Sequence, residues 1–400
     1  MFCLDGREKK KYNEHKSGKC PGTEAVFMYY FDSAATAPPC GEAVAAAAEA
    51  IKEYANPSSL HFAGRAARGI IESARESVAR GFGCAPEEVI FTSGGSEGNC
   101  QCIFGAAKLR ARAAKRIVTT DSEHPSVSEP LALLEKQGFE VVRIPTRGGR
   151  LDEAALAKAF SAPVAFASIM LANNETGAVY DIPLVRGYIE KSGCGALLHC
   201  DAVQGFLKTD VRGVIRKNCD LASVSAHKVG GLKGVGAVYA KKGVRLPPFV
   251  LGGGQERGLR SGTENTPGIA AFGAAVAAFT PEKAAYLSEL NEYTRALLSE
   301  SLPGIRFNLP EKRTGAVLSV SVPGAKSEVM LNALSMRGFC VSAGSACHSK
   351  KSVSETLRAF GLSGAELEGA LRISFSPNNT KEECALLAEA MGEVCKRLIK

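Results

Sequence analysis

Short apolar runs and helical patterns alternate along most of the chain. From about residue 43 to residue 240, stretches rich in Ala, Leu and Lys with helical spacing separate one apolar run from the next. The runs that we predict as strands cover residues 89–92, 116–120, 141–144, 164–170, 196–200 and 221–224. Strands that alternate with helices are typical of βαβ units and a mostly parallel sheet. Ligands bind such sheets at the carboxyl ends of the strands.

The pattern changes after this region. A Gly-rich loop covers about residues 252–266, helical spacing continues to about residue 301, and strand-like runs follow at 316–321 and 372–375. Thr380 and Glu383 form a predicted capping box for the last helix. The apolar face predicted for this helix consists of Cys384, Leu387, Met391, Val394, Cys395 and Leu398. The predicted plan is a large α/β domain followed by a smaller α+β domain.

The first 27 residues differ from the rest of the chain. They carry several lysines and acids with almost no apolar periodicity, a pattern typical of disorder. An alternation of apolar residues begins at Met28. We therefore predict that residues 1–27 are a disordered leader or an extension, and that Met28 is the natural start.

The composition is that of an ordinary globular protein, with 45% hydrophobic and 22% charged residues. The net charge of +8 is spread along the chain, and such a balance does not by itself indicate nucleic-acid binding. No apolar run reaches the roughly 18 residues of a membrane span, and the N-terminus does not resemble a signal peptide. We expect a cytoplasmic protein that binds neither membranes nor nucleic acid directly.

The thirteen cysteines include no C-x-x-C pair, and their spacings fit neither a disulfide framework nor a zinc site. We therefore expect reduced thiols and no bound metal. Cys347 differs from the others because Gly, Ser and Ala surround it in the sequence. Small neighbours leave a thiol accessible, and an accessible thiol near a cation is reactive.

Residues 94–98, Gly-Gly-Ser-Glu-Gly, have two functional interpretations. They match the G-x-S-x-G nucleophile elbow of hydrolases, in which Ser96 would be the nucleophile. They also match a phosphate cradle, in which Gly95, Ser96 and the N-terminus of a helix hold an anion. A tight strand-to-helix turn explains the pattern equally well, so the motif alone does not decide.

Other chemically active side chains follow predicted strands. Burial of Lys228 at a strand end would free its amine to react with an aldehyde cofactor. Asp201 closes another strand and could pair with a protonated pyridine nitrogen. His124 could stack on a flat ring, and Asn174 could present its amide to the same place. A solvated lysine, a helix-capping aspartate and simple turns are the structural alternatives.

Ten strings occur in a characteristic order, at residues 32–36, 56–59, 92–99, 123–124, 173–177, 201–204, 225–228, 260–263, 344–347 and 372–374. Taken together they resemble the cysteine desulfurases of the class V aminotransferase family, which are fold type I pyridoxal-phosphate enzymes. The resemblance covers about residues 28–400, and its most specific element is the Ser-Ala-Cys loop combined with Ser-x-His-Lys.

The resemblance implies an α/β fold with two domains. The large pyridoxal-phosphate-binding domain, at 43–280, would have a mostly parallel sheet of the seven-stranded type flanked by helices. The smaller α+β C-terminal domain, at 281–400, would carry the Cys347 loop. The N-terminal segment 28–42 would pack with the small domain.

The resemblance also implies roles for individual residues. Lys228 would bind pyridoxal 5'-phosphate through its amine and move protons, and His124 would stack on the ring and take part in catalysis. Cys347 would accept the substrate sulfur as a persulfide. The implied cofactor ligands are Gly95, Ser96, His124, Asn174, Asp201, Gln204, Ser225, His227, Lys228 and, from the second subunit of a homodimer, Thr263. The implied substrate ligands are Asn56, Asn174 and Arg372, whose guanidinium suits a carboxylate.

The implied activity is a sulfur transfer that converts L-cysteine to L-alanine. Cys347 would pass the sulfur to an acceptor such as an iron–sulfur scaffold protein or a tRNA-thiolation enzyme. A selenocysteine lyase or another class V pyridoxal-phosphate transferase is the nearer alternative, and a serine hydrolase using Ser96 is a remote one. Cys100 departs from the family pattern, which usually has a polar residue there.

Overall fold

The computed structural model describes residues 28–343 and 354–398. The described helices are α1 Gly41–Lys52, α2 Phe62–Phe82, α3 Gly95–Arg110, α4 Pro125–Lys136, α5 Glu153–Ala159, α6 Ile182–Ser192, α7 Val211–Asn218, α8 Thr266–Ala278, α9 Pro281–Ser301, α10 Ser327–Ser335, α11 Glu355–Phe360, α12 Gly364–Glu368 and α13 Lys381–Leu398. The described strands are β1 Tyr29–Tyr30, β2 Val89–Thr92, β3 Arg116–Thr120, β4 Glu140–Ile144, β5 Val164–Met170, β6 Leu197–Asp201, β7 Leu221–Ser225, β8 Gly236–Ala240, β9 Arg306–Phe307, β10 Val317–Ser321, β11 Phe339–Cys340, β12 Ser342–Ala343 and β13 Ala370–Ser374. None of the described helices is long and apolar enough to cross a membrane. The predicted leader, residues 1–27, and Cys347 lie outside the described residues.

Seven strands form the central sheet, in the order β2-β8-β7-β6-β5-β3-β4. Every neighbouring pair is parallel except the two that involve β8, which runs antiparallel to β2 and β7. The prediction of a mostly parallel seven-stranded α/β sheet is therefore confirmed. The six predicted strands all exist, with ends that shift by at most one residue.

Strand β8 was missed because it begins at a glycine within a Gly-rich stretch. Its backbone nevertheless fits where a larger residue would not. A Cβ atom at Gly236 would lie 2.6 Å from the Val224 carbonyl oxygen and 2.7 Å from the Gly94 α-carbon. The glycine thus lets β8 lie against both β7 and the turn after β2.

Burial explains why the central strands read as continuous apolar runs. All seven residues of β5 are buried, because helices cover both faces of a parallel sheet. Helices α5, α6 and α7 each begin at an aspartate whose carboxylate accepts a backbone N–H of the first turn, namely Asp152, Asp181 and Asp210. These caps satisfy donors that have no partner inside the helix.

A second, antiparallel sheet forms in the order β12-β13-β10-β9, and β1 pairs with β11 in parallel. Phe31, which follows β1, is fully buried in the hydrophobic cluster of this region, edge-on to Phe375. The predicted capping box at the last helix is present, since Thr380 Oγ1 accepts from Glu383 N at 3.2 Å. All residues of the apolar face predicted for α13 are buried except Leu398, which is 36% exposed at the last turn of the helix.

A buried ion pair fixes the Gly-rich loop that precedes α8. Arg75 of α2 binds Glu256 of this loop through two 2.7 Å hydrogen bonds, and the two side chains are only 5% and 2% exposed. Glu256 also accepts the backbone N–H of Phe91 at 2.8 Å. Glu256 and Arg257 have positive φ angles of 47° and 57°, a conformation that persists only where surrounding contacts impose it.

Candidate active site

Most of the predicted site residues lie at one edge of the central sheet. Asp201 ends β6, Ser225 ends β7 and Lys228 lies in a single 3-10 turn directly after β7. His124 follows β3 and Asn174 follows β5. Because β3, β5, β6 and β7 are parallel, their carboxyl ends bring these residues to the same edge.

The turn after β2 is built as an anion cradle. Gly94 has φ 156° and ψ −177°, a conformation that is essentially restricted to glycine. It is the N-cap of α3 and offers no capping side chain, so the first N–H groups of this helix remain available beside the Ser96 hydroxyl. In the described part of the chain, no histidine or carboxylate hydrogen-bonds to Ser96. The geometry therefore favours the phosphate cradle over the nucleophile elbow.

The Lys228 amine is held inside the site by the N-terminal segment. Its Nζ donates to the carbonyl oxygens of Ala34 and Ala35, each at 2.7 Å. Burial and the positive charge of Arg372 lower the pKa of Lys228 to about 8, against the opposing charges of Asp32 and Asp201. A substantial fraction of this amine is therefore neutral, and thus nucleophilic, near physiological pH.

The lowered pKa predicts how Lys228 reacts as pH changes. The neutral amine is the reactive form, so its acylation rate should rise with pH and reach half its maximum near pH 8, rather than near the ordinary value of 10.5. Competitive labelling of the ligand-free protein with trace acetic anhydride, read by mass spectrometry of the Lys228 peptide, measures this midpoint. Arg372→Met removes the neighbouring cation and should move the midpoint upward. A wild-type midpoint near 10.5 would contradict the assignment.

Asp201 and Gln204 offer acceptors that suit a ring bearing an N–H and a hydroxyl group. The Asp201 carboxylate, 5% exposed, accepts from Asn99 Nδ2 at 2.8 Å and from the backbone N–H of Val203 at 3.0 Å. Gln204 Nε2 donates to the Ala34 carbonyl at 2.8 Å. The buried Gln204 Oε1 has no hydrogen-bond partner among the described residues. A ring hydroxyl bound there would satisfy it.

His124 is the N-cap of α4 and is oriented by that role. Its Nδ1 accepts the backbone N–H of Ser126 at 3.1 Å and lies 2.8 Å from Ser126 Oγ. Desolvation lowers the pKa of His124 and outweighs the opposing charge of Asp201, so the imidazole is neutral at pH 7. Desolvation likewise lowers the pKa of His227 to about 4, with Lys228 adding to the effect. Both rings therefore act here as neutral hydrogen-bonding groups.

Arg372 joins the two sheets across the site. Its Nη2 pairs with Asp32 Oδ1 at 2.7 Å, and its Nη1 donates to the Asn174 carbonyl at 2.9 Å. The buried Nε has no acceptor in the described part of the chain. A guanidinium has five N–H donors, so this arginine retains donors for a carboxylate.

The ends of the segment that contains Cys347 are both attached to this site. On one side, Ser342 of β12 is paired with Arg372 of β13. On the other, Ser354 Oγ donates to Glu175 Oε2 at 2.6 Å, next to Asn174. Cys347 itself lies outside the described residues, so its predicted role is not tested by the structure.

No hydrogen bond or ion pair between described residues joins Asn56 or Thr263 to this cluster. Asn56 lies in the loop between α1 and α2, where its Oδ1 accepts from Ser58 N at 2.9 Å. Thr263 is exposed in the Gly-rich loop. Arg260, three residues earlier, pairs with Glu97 of α3 at 2.9 Å, so the loop approaches the cradle.

Several contributors to the site were not predicted individually. Asn99 contacts Asp201 directly, whereas the thiol of the unusual Cys100 beside it is half-buried and makes no hydrogen bond among the described residues. Asp32 pairs with Arg372, and the carbonyl of Ala34 accepts a hydrogen bond from Lys228. A contact made by a backbone carbonyl cannot be read from the pattern of side chains. Asn99 could have been identified, because it is a polar residue on the inner face of α3.

Ten free cysteines lie in the described residues, and most have thiols that resist ionisation. Burial raises the pKa of Cys84 to about 12 and those of Cys384 and Cys395 to about 11. Cys102 and Cys200 are fully buried, and this burial raises their pKa values well above the ordinary value. Burial also raises the pKa values of Cys40, Cys100 and Cys340.

Comparison with known proteins gives a consistent result. The Aminotransferase class-V family profile matches residues 29–387. Cysteine desulfurase IscS 1 of Archaeoglobus fulgidus is 35% identical, over 93% of this chain and 98% of that protein. Cysteine desulfurase IscS of Anaeromyxobacter dehalogenans is 38% identical, over 86% and 87%. A solved NifS-like protein superimposes with a TM-score of 0.85 at 33% identity, over 93% of this chain and 100% of that chain.

Proposed function

The chain belongs to the class V aminotransferase family. We propose that the site described above is the active site of a cysteine desulfurase, and we propose a role for each of its residues. The enzyme uses pyridoxal phosphate and converts L-cysteine to L-alanine. One observation carries the assignment of the site. Gln204 Nε2 and Lys228 Nζ both donate to the carbonyl oxygen of Ala34, at 2.8 and 2.7 Å. A reactive amine and an unsatisfied buried oxygen, Gln204 Oε1, therefore lie together.

The residues present fit pyridoxal phosphate. Lys228 would hold it covalently, the Asp201 carboxylate would accept from the ring nitrogen and Gln204 Oε1 from the ring hydroxyl. His124 would stack on the ring, and Asn174 would contact it. The proposed phosphate ligands are Gly95, Ser96, Ser225, His227 and Thr263 of a second copy. When bound, pyridoxal phosphate withdraws electrons from bonds at the substrate α-carbon.

The chain's own groups then bind the substrate and move protons. Arg372, held by Asp32 and the Asn174 carbonyl, would bind the substrate carboxylate through its remaining donors, with Asn56 assisting. The pKa of Lys228, lowered to about 8, suits an amine that alternately takes and returns a proton near neutral pH. The negative charges of Asp32 and Asp201 oppose this lowering and favour the protonated amine.

Cys347 is the proposed sulfur acceptor. Its thiolate would attack the sulfur of the bound substrate, so that an S–S bond forms as the substrate C–S bond breaks. The electron pair of the C–S bond would stay on the substrate β-carbon, which takes up a proton. The products are a Cys347 persulfide and alanine. The position of Cys347 in the sequence supports this proposal, because Cys347 follows Ala343, the last residue of β12, by four positions. Ser342, one residue earlier, is paired with Arg372.

The proposed active unit is a homodimer in which Thr263 completes the site of the partner copy. The loop at 249–263 and the loop that leads into α2 line a common cleft. Both loops and the first residue of α2 expose large apolar side chains: Tyr54 is 95% exposed, Leu60 89%, Phe62 81% and Leu251 82%. Exposed apolar groups on adjacent loops are typical of a surface that another protein covers.

The persulfide would pass its sulfur to an acceptor such as an iron–sulfur scaffold protein or a tRNA-thiolation enzyme, and we propose that this takes place in the cytoplasm. The free thiols of the described cysteines support that location, since such thiols stay reduced there. A selenocysteine lyase would use much of the same site. Cys347 favours cysteine, because sulfur transfer requires a nucleophilic thiol.

Product analysis tests the proposed function. Purified enzyme loaded with pyridoxal phosphate should release alanine and, with a thiol reductant, an equal amount of sulfide from L-cysteine, and its visible absorption should change on addition of the substrate. L-Serine has the same carboxylate and amine but no sulfur, and serves as the matched control. Alanine without sulfide, or selenide release from L-selenocysteine with no reaction of L-cysteine, would contradict the proposal.

A further inference from the structure

Asn99, on the inner face of α3, is a hub of buried hydrogen bonds behind the candidate site. It is fully buried, and its Nδ2 donates to Asp201 Oδ2 and to Ser126 Oγ, both at 2.8 Å. Ser126 in turn contacts His124 Nδ1 through its backbone N–H and its hydroxyl. One amide group therefore contacts both Asp201 and the residue that holds His124.

A second row of polar side chains orients this amide. The Ser223 hydroxyl donates a hydrogen bond to Asn99 Oδ1. Ser223 Oγ lies 3.2 Å from His199 Nε2, and His199 Nδ1 lies 2.9 Å from Ser168 Oγ. Ser168, His199 and Ser223 are all completely buried. Burial lowers the pKa of His199 to about 3, so the ring is neutral and has one donor and one acceptor nitrogen.

Only one arrangement of protons satisfies every contact. The Asp201 carboxylate accepts only, so the Asn99 NH₂ group must face it and Oδ1 must face Ser223. Ser223 has a single proton and gives it to Asn99, so its oxygen must accept from His199 Nε2–H. Nδ1 of His199 must then accept from the Ser168 hydroxyl. Every hydrogen bond in the row therefore points toward Asp201.

We propose that Asn99 is a positioning residue, which fixes Asp201 and His124 relative to each other and is itself oriented by Ser223, His199 and Ser168. This inference rests on the proposed function, because Asp201 and His124 are the two groups expected to hold the cofactor ring. A carboxylate tied by charged hydrogen bonds cannot turn away from the ring nitrogen. This row of hydrogen bonds thereby fixes the orientation of Asp201 in the protein without the cofactor.

Two variants of Ser223 separate hydrogen bonding from packing. Ser223→Thr keeps the hydroxyl and Ser223→Val replaces it with a methyl group, while the two side chains have nearly the same shape. Both add the same bulk, so a packing cost is shared. We expect apoprotein with Ser223→Val to bind pyridoxal phosphate about 10-fold to 100-fold more weakly than Ser223→Thr, the range for leaving a buried acceptor, here Asn99 Oδ1, without its donor. Equal dissociation constants would overturn the proposal.

A measurement on the wild-type apoprotein keeps the proposal testable if both variants fold poorly. Nitrogen-15 spectra of histidine-labelled protein, assigned with His199→Gln, report which ring nitrogen carries the proton. We expect His199 to be neutral with the proton on Nε2 from pH 5 to pH 9. If the proton were on Nδ1, Nε2 would accept the hydrogen bond of the Ser223 hydroxyl, and Ser223 could not donate to Asn99. That result would overturn the proposal. Neither readout uses cysteine turnover, so the failure of this inference and that of the desulfurase assignment can be told apart.

Discussion

Lys228→Ala should abolish covalent attachment of pyridoxal phosphate and stop alanine production. The substitution removes both the amine that would bind the cofactor and the group that would transfer the proton. A positioned acid–base group alone is worth about 10²–10⁴-fold in rate. Asp201, Gln204 and the turn at Gly94 remain, so the variant should still bind the cofactor without a covalent bond. Borohydride reduction followed by mass spectrometry measures the attachment, and an alanine assay measures turnover.

The matched control for this experiment is Lys241→Ala. Lys241 follows β8 and is half exposed near Asp220, so its loss removes a lysine of the same fold without touching the site. This control should trap the cofactor and turn over like the wild type. A cofactor trapped on a different lysine in Lys228→Ala, with activity retained, would show that Lys228 is misassigned.

Cys347→Ser is expected to keep the bound cofactor and its absorption while losing persulfide formation. A serine hydroxyl is not ionised at neutral pH, whereas a small fraction of a cysteine thiol is, and deletions of a nucleophile cost on the order of 10⁴-fold or more. The measurement is the gain of one sulfur atom on the Cys347 peptide after a single turnover with L-cysteine, together with the rate of alanine release.

Cys340→Ser is the control for this second experiment. Cys340 lies in β11, seven residues earlier, where burial raises the pKa of its thiol. The Cys340→Ser variant should therefore form the Cys347 persulfide at the wild-type rate. If Cys347→Ser released sulfide from cysteine as fast as the wild type, another group would be the acceptor.

The sequence predicts the framework of the molecule well, for a physical reason. Buried parallel strands such as β5 must be continuously apolar, and polar residues directly after them mark the edge where ligands bind. Asp201, Lys228 and His124 could therefore be placed before the structure was known. The resemblance to a family then gave each of them a chemical role, which spacing alone did not.

Other parts could not be predicted because they depend on distant backbone. The carbonyl of Ala34 holds Lys228 from a position 194 residues away in the chain, and any residue type supplies a carbonyl. The two-residue strands β1, β9, β11 and β12 are too short to show a period. Asn99 carries a polar side chain, but only the packing of α3 against β6 and β7 shows that it contacts Asp201 and Ser223.

The elevated thiol pKa values bear on chemical selectivity within the chain. Thiol exchange requires a thiolate, and burial keeps eight of the ten described cysteines protonated well above neutral pH. A sulfur atom carried by one cysteine of this protein would therefore meet few competing thiolates among the described cysteines. The burial of these thiols would thus limit exchange of that sulfur within the described part of the chain.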